Sequence, residues 1–394
     1  MTDKALPFGI AEFQTRLQNT KASMESRGID ILVAADPANM NYLTGYDGWS
    51  FYTPQVVIVA KDLDQPICIV RQMDVNGGRV TTYLDDNNMI GFPDTYVQST
   101  ECHPMDWIAE EMGRRGIDKG VIGVEMDAYY YSAASHAALV RGLPNATMVD
   151  ATSLVNWVRV VKSAQEIEYM RRAARIVEKT MRIAYDMIEP GVRQCDAAAA
   201  IYQSEISGTP EFGGDYTSLV PLLPTGVGTS TPHLTWTDQP FVSGEATILE
   251  IGGAHRHYHC PMARTMHLGK PPQKLADTSE VVVEGIAAAL DTVKPGALCE
   301  DVEAAWRHSI AKHGLSKDSR LGYSTGVNYP PDWGEHTLSL RQGDKTVLQP
   351  NMTIHLIAGI WMDDWGIEIS ECFRVSEDGC EKFCDFPEPL FVKD

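Results

Sequence analysis

The sequence predicts an α/β protein with two domains, a smaller N-terminal domain over residues 1–157 and a C-terminal domain over residues 158–394. Three observations support this prediction. The chain has 394 residues, 44% of them hydrophobic, and one hydrophobic core seldom extends beyond about 250–300 residues. In the first part, short apolar runs alternate with stretches of helical spacing. In the second part, two long amphipathic segments each end at a Pro-Gly pair.

The N-terminal elements follow from the spacing of apolar residues. Residues 13–27 carry apolar side chains three and four positions apart, which predicts an amphipathic helix. Residues 29–35 and 56–60 are short runs rich in Ile and Val and predict strands. Strands that alternate with helical sequence favour an α/β domain.

The C-terminal domain begins with a helix predicted over residues 162–188, which ends before Pro190 and Gly191. A second helix, over residues 279–293, ends in the same way before Pro295 and Gly296. Further helical sequence and then strands follow each of them. This repetition indicates a duplicated α/β half.

Charge and cysteine content limit the classes of partner. A formal net charge of −20 repels phosphate backbones and anionic lipids, so we expect no nucleic-acid and no membrane partner. The N-terminal sequence lacks the pattern of a secretion signal, and no apolar run reaches the length of a membrane span, so a cytoplasmic protein is expected. The eight cysteines are scattered and predict reduced thiols.

Several segments resemble the signature of the pita-bread hydrolases, a family that includes aminopeptidase P, prolidase, methionine aminopeptidase and creatinase. The resemblance implies a small creatinase-like domain followed by a pita-bread catalytic domain, assembled as a homodimer. The segments that carry it are residues 41–46, 161–173, 225–233, 242–265, 321–327, 348–360 and 366–371.

The metallopeptidases of this family hold two metal ions through five side chains, and most of those positions are changed here. The corresponding residues are Glu250, Pro261, Tyr323, Ile357 and Ser370. Divalent ions need several oxygen or imidazole donors that converge on them. Because one carboxylate cannot hold two ions, we expect no metal and no other cofactor. The chain is more similar to the metal-free branch of the family, typified by creatinase.

Within that branch, residues 36–52 resemble the ectoine hydrolases, which open a cyclic amidine. The resemblance implies that a small zwitterion, ectoine, is hydrolysed to acetylated 2,4-diaminobutyrate, with possible functional coupling to a deacetylase. Three alternatives stay open: a creatinase-like amidinohydrolase, a metal-dependent X-Pro peptidase, and a binding protein without catalysis.

Glu250 and His233 are the first catalytic candidates. Glu250 follows an apolar run, and buried carboxylates are usually paired or functional. It would attack the amidine carbon as a nucleophile or activate water as a base; the alternative is a structural acid paired with Arg264. His233 matches the acid/base histidine of creatinase, with a turn-capping role as its alternative.

Three more candidates lie near the changed metal positions. His355 precedes Ile357 by two residues, so both face one side of a predicted strand, although a core histidine is an alternative. Tyr323 would donate to a substrate carboxylate or only fill space. Glu368 and Glu371 are three residues apart, so only one points inward, and Glu371 is favoured because it adjoins a lost ligand position.

The remaining candidates are histidines and aromatic residues. His255, His257 and His259 alternate along one predicted strand and offer three nitrogens to zinc, but the outer two are too far apart to share one ion without a bend. His255 and His259 are kept as pocket candidates, with an exposed face or an interface as the alternative. Aromatic faces attract flat cations, which adds Tyr46, Trp49, Phe51, Tyr52, Trp333 and Trp361 as substrate-binding candidates.

Overall fold

The computed structural model describes residue 4 and residues 6–394. The chain divides into two units, one that ends at Arg159 and one that begins at Val160. Within the described chain, no helix combines the length and the apolar character needed to cross a bilayer.

The N-terminal unit is built on a six-stranded sheet with the order β4-β3-β2-β1-β5-β6. Its core contains alternate residues of the central strands, such as Val33 and Ile58, packed against Ile108 and Leu139 of two helices. Its strands are β1 (Ile31–Ala34), β2 (Val56–Ala60), β3 (Ile67–Arg71), β4 (Met89–Phe92), β5 (Gly120–Val124) and β6 (Ala146–Asp150). Its helices are α1 (Ile10–Ser26), α2 (Pro37–Thr44), α3 (Val75–Thr81), α4 (Pro104–Arg114), α5 (Ala133–Gly142) and α6 (Leu154–Arg159).

The C-terminal unit contains two sheets, with the orders β10-β9-β11-β12-β13 and β14-β8-β7. Its helices are α7 (Ala164–Met187), α8 (Gln194–Ser207), α9 (Gln273–Thr292) and α10 (Cys299–Ala311). Its strands are β7 (Ala246–His255), β8 (Tyr258–Leu268), β9 (Gly322–Thr325), β10 (Gly334–Leu340), β11 (Thr353–Trp361), β12 (Gly366–Val375), β13 (Cys380–Lys382) and β14 (Phe391–Lys393).

The predicted helices are present, with shifted ends. The helix predicted over residues 13–27 is α1, and the one predicted over residues 162–188 is α7. A capping box starts α7: the Ser163 side chain accepts from the Glu166 backbone N–H, and the Glu166 side chain accepts from that of Ser163. The helix predicted over residues 279–293 is α9, which starts six residues earlier because its polar first turn has no apolar pattern to reveal it.

Helices cover the outer face of each sheet in the C-terminal unit. On one side, a side chain at Gly253 of β7 would lie 2.0 Å from the carbonyl oxygen of Ala173, which shows how closely α7 approaches the strand. On the other side, Ile286 of α9 and Trp306 of α10 share a core with Ile369 of β12. Since side chains alternate along a strand, Glu368 and Ser370 point away from those helices.

Strands β8 and β12 join the two sheets through side chain to backbone hydrogen bonds. The Thr265 hydroxyl donates to the Glu368 carbonyl oxygen over 2.9 Å and accepts from the Glu368 backbone N–H over 2.9 Å. The Ala263 backbone N–H donates to Ser370 Oγ over 2.6 Å. These contacts fix the inner faces of β7, β8 and β12 against one another, and the candidate site lies there.

Candidate active site

Glu250 lies near the middle of β7, where it pairs with Ala263 of β8. Its side chain is buried except for a 5% exposed fraction. Burial raises the pKa of Glu250 well above its usual range, and the negative charges of Glu368 and Asp332 raise it further. The carboxyl group is therefore poorly solvated, as acids at functional sites often are.

Glu368 on β12 is the second acid of the site. It is fully buried, and within the described chain neither oxygen of its carboxylate has a hydrogen-bond partner. Burial raises its pKa to about 7, against an opposing effect from the Lys317 ammonium. Buried polar atoms are nearly always hydrogen-bonded, so two unsatisfied oxygens on one carboxylate indicate a place for a ligand with N–H donors.

A chain of hydrogen bonds crosses the inner face from Trp333 to Ala263. Trp333 Nε1 donates to the Tyr323 hydroxyl over 2.7 Å, and His355 Nδ1 lies 3.3 Å from the same hydroxyl. His355 Nε2 lies 2.8 Å from Ser370 Oγ, which accepts from the Ala263 backbone N–H. Burial, followed by the charges of nearby arginines, lowers the pKa of His355 to about 3. A neutral His355 therefore holds Tyr323 and Ser370 in fixed orientations.

The structure reverses the expected placement of the two acids on β12. Glu371 lies on the face opposite Glu368 and Ser370, and its carboxylate forms an ion pair with Arg264 over 2.6 Å. Arg264 also donates to the carbonyl oxygens of Ala263 and Pro387. The alternative interpretation that Arg264 pairs with Glu250 is wrong, because Glu371 takes that role. Glu368 occupies the position for which Glu371 was favoured.

The three alternating histidines do not lie along one strand as predicted. Strand β7 ends at His255, β8 begins at Tyr258, and a tight turn with positive φ at Arg256 (53°) and His257 (60°) joins them. His255 Nδ1 lies 2.9 Å from the Gly213 carbonyl oxygen. The period-two pattern was misleading because a two-residue turn preserves it.

His259 faces the site side of β8, and the protein engages both of its nitrogens. Its Nε2 accepts from the Ser218 backbone N–H over 2.9 Å, so its proton lies on Nδ1 and is donated to the His257 carbonyl oxygen over 2.8 Å. Burial lowers the pKa of His259 to about 3. The ring is a neutral part of the wall, 6.5 Å from that of Trp333.

The side chains at the family's five metal positions do not fit a pair of divalent ions. Glu250 offers a carboxylate, but Pro261 and Ile357 have no donor atom. The Tyr323 hydroxyl and Ser370 Oγ are held by the hydrogen-bond chain. Across residue 4 and residues 6–394, no group of three or more His, Cys, Asp or Glu side chains is placed to hold an ion.

His233 lies on an exposed loop that follows a short 3-10 helix, Gly226–Ser230. The loop is attached to the strand of Glu250 in two steps. The Leu223 backbone N–H donates to the Leu234 carbonyl oxygen over 3.1 Å, and Leu222 exchanges backbone hydrogen bonds of 3.0 and 3.1 Å with Glu250. His233 is therefore carried on a segment anchored beside β7.

The four aromatic candidates of residues 46–52 lie in the N-terminal unit. Tyr46 is buried, and its hydroxyl is 2.9 Å from Ser50 Oγ. The rings of Trp49 and Phe51 are 4.7 Å apart. Trp49 and Tyr52 are 59% and 63% exposed, which is unusual for large aromatic side chains.

Sequence reasoning missed Lys317 and Arg320, which precede β9, and Asp332, which precedes β10. The Lys317 ammonium lies 4.7 Å from the centre of the Trp361 ring, and the Arg320 guanidinium 4.3 Å from that of Tyr323. No sequence pattern marks these three residues, because they lie in polar loop sequence, where charged side chains are common. The signal for Glu368 was available: it is an acid inside an apolar strand, the pattern that identified Glu250.

The fold and sequence comparisons identify the family. Residues 168–377 match the model of metallopeptidase family M24, and residues 16–161 match the creatinase/prolidase N-terminal domain. The crystal structure of a recombinant prolidase from Thermococcus sibiricus superposes with a TM-score of 0.84 at 19% identity, covering 98% of this chain and 100% of that one. The predicted fold, a creatinase-like domain followed by a pita-bread domain, is confirmed.

The chain belongs to metallopeptidase family M24 and is a hydrolase that acts on C–N bonds. Among its relatives is the ectoine hydrolase of Halomonas elongata, with 46% identity over 400 residues and 100% coverage of both chains. An Xaa-Pro dipeptidase of Lactobacillus helveticus is 26% identical and covers 92% of this chain and 95% of its own length. The predicted membership of the pita-bread family is confirmed.

Proposed function

We propose that this hydrolase opens the ring of ectoine to give N-acetyl-2,4-diaminobutyrate, with side chains in place of the family's two metal ions. The observation that carries the proposal is the carboxylate of Glu368, buried with both oxygens unsatisfied beside Glu250. The full-length similarity to an ectoine hydrolase supports the same substrate.

The chemistry of a cyclic amidine fits these two acids. In this cyclic amidinium the two N–H bonds point away from each other on either side of the methyl-bearing carbon, so one carboxylate accepts from one of them in a charge-assisted hydrogen bond. Glu368 would hold the ring in this manner. Glu250, which retains some exposure, would then act on the amidine carbon between the two nitrogens.

Glu250 would act as a nucleophile or as a general base. In the first, a carboxylate oxygen bonds to the amidine carbon, one C–N bond breaks as its nitrogen takes a proton, and water releases the product. In the second, Glu250 removes a proton from water, the water oxygen bonds to the amidine carbon, and one ring C–N bond breaks as its nitrogen takes a proton. His233 would deliver the proton to the departing nitrogen, and the neutral His355 would position Tyr323 and Ser370.

The metal-free character of the proposed reaction rests on donor chemistry. Two of the five inherited positions lack donor atoms, and two more hold hydroxyl groups engaged in the chain from Trp333 to Ala263. Stabilisation of the reaction would come instead from fixed hydrogen-bond donors and acidic groups in a poorly solvated site.

We also propose a homodimer in which the exposed Trp49 and Tyr52 approach the site of a second subunit. Phe51 and Tyr46 would support them, since the Phe51 ring contacts that of Tyr130 and the Tyr46 hydroxyl is hydrogen-bonded to Ser50. The product contains an acetamide, so a deacetylase would be expected to consume it.

The decisive experiment incubates the full-length protein, dialysed against a chelator, with ectoine and follows ring opening by NMR. The proposal expects turnover that added Mn²⁺ or Zn²⁺ does not increase, together with loss of turnover in Glu250→Gln. Turnover only with added metal would refute the metal-free mechanism. Hydrolysis of X-Pro dipeptides but not ectoine would support a peptidase, and tight ectoine binding without product would support a binding protein.

A further inference from the structure

The loop between α10 and β9, residues 312–321, carries two cations, Lys317 and Arg320, to a site that holds the buried acids Glu250 and Glu368. Lys317 is half-buried in this loop, and its ammonium lies 4.7 Å from the centre of the Trp361 ring. Two buried acids, Glu250 on β7 and Glu368 on β12, lie on the strands of the site. The site therefore has a positive end at Lys317 and a negative end at the two acids.

Lys317 lines a cavity of about 420 Å³ together with Gly359 and Trp361. Gly359 is the cross-strand partner of Glu368, so the cavity borders the strand position of that acid. A side chain at Gly359 would lie 2.2 Å from the Trp361 ring. The missing side chain allows this ring to lie flat against β11 and form a wall beside the ammonium.

The ammonium of Lys317 is only partly satisfied by the protein. Its hydrogen-bond partner in the described chain is the neutral Ser319 hydroxyl, at 2.5 Å. Burial lowers the pKa of Lys317 to about 8, and the charge of Glu368 opposes this effect. Lys317 and Glu368 thus interact electrostatically without a direct ion pair between them. Opposite charges held apart in this way suit a zwitterion, whose two ends can interact with one charge each.

We propose that Lys317 recognises the carboxylate of the substrate and so determines specificity for zwitterionic over simply cationic amidines. This inference rests on the proposed function: the amidinium end binds Glu368 and the carboxylate end binds Lys317, with the Trp361 ring against the substrate. Lys317 binds and orients the substrate, and it takes no part in proton transfer.

The test compares ectoine with 2-methyl-1,4,5,6-tetrahydropyrimidine, the same cyclic amidine without the carboxylate. For Lys317→Met we expect kcat/KM for ectoine to fall about ten- to hundredfold, the usual effect of losing a charge-assisted hydrogen bond. The value for the analogue should stay within about threefold of wild type, since the removed contact is absent from it. Lys317→Arg should recover part of the loss. Lys312→Met, the same change at an exposed position of the same loop, is the matched control.

Three results would overturn the inference. Equal losses for both substrates would show that Lys317 acts on Glu368 or on folding. No preference of the wild type for ectoine would show that the carboxylate is not recognised. Loss of the preference in Arg320→Gln but not in Lys317→Met would assign recognition to Arg320. If the analogue is not hydrolysed, calorimetry with Glu250→Gln variants gives dissociation constants for both ligands, and these allow the same comparison. A wild-type protein inactive on ectoine would instead refute the proposed function.

Discussion

Replacement of Glu368 by glutamine is expected to stabilise the protein above neutral pH and to abolish activity. Glu368 is buried with both oxygens unsatisfied, so the folded state disfavours its charged form. Glutamine has nearly the same shape and never ionises. The same substitution removes the negative charge that is proposed to hold the amidinium.

The size of the effect follows from the pKa of Glu368. It is raised from a usual value of 4.5 to about 7. Between these values the folded protein retains a proton that the unfolded chain has lost, so stability decreases as pH rises from about 4.5 to about 7. The full difference corresponds to about 3 kcal/mol in the free energy of unfolding. Glu368→Gln should recover up to about this amount at pH 8 and little at pH 4.5.

The assay is urea unfolding at pH 5 and pH 8, with ectoine turnover measured on the same samples. Glu371→Gln is the matched control, because it makes the same change three residues away on the same strand. It should destabilise the protein by about 3–5 kcal/mol, since Arg264 would lose its charged partner. A Glu368→Gln protein that is less stable than wild type at pH 8 would refute the reasoning, because Glu368 would then be satisfied in the folded state.

Three further predictions concern the site and its surroundings. Ectoine binding at pH 7 should release protons, because a bound cation favours the ionised form of Glu368; calorimetry in buffers of different ionisation enthalpy measures this. Trp333→Phe should lower kcat about tenfold, because Tyr323 loses the donor that holds its hydroxyl; steady-state kinetics with KM measured separately check this. Lys162→Met should lower the free energy of unfolding by about 3–5 kcal/mol, because its ion pair with Glu335 at 2.6 Å is fully buried; urea titration gives the value.

Each of these predictions has a result that contradicts it. Binding without proton release would mean that Glu368 is already ionised in the free protein. Unchanged kinetics in Trp333→Phe would mean that Tyr323 needs no fixed orientation. Wild-type stability in Lys162→Met would mean that the ion pair with Glu335 contributes little to the free energy of unfolding once the cost of burying its charges is included.

Local patterns predicted the elements of the fold well, and the reasons are physical. The helix over residues 164–187 combines a capping box with a continuous apolar stripe, and both signals are local in sequence. The hairpin of β7 and β8 was predicted as a single strand, because His255, His257 and His259 keep their alternation through a two-residue turn. Sequence alone does not distinguish one long strand from two strands with such a turn.

Side-chain direction on β12 could also have been derived from the sequence. Ser370 stands at an inherited ligand position, and Glu368 is two residues from it, so a strand places both on one face. Glu371 was favoured for its proximity to that position along the chain. The alternation of a strand makes the adjacent residue the one that points away.

The sequence by itself determined the family, the three helices and two strands predicted from spacing, and the candidacy of Glu250, because each depends on residue identity and short-range spacing. Only the tertiary structure decided which acids share the inner face, that Arg264 belongs to Glu371, and that Lys317 comes to the edge of the site. These facts depend on interactions between residues about 50 to 120 positions apart in the chain, and their distances are set by sheet packing rather than by any local preference.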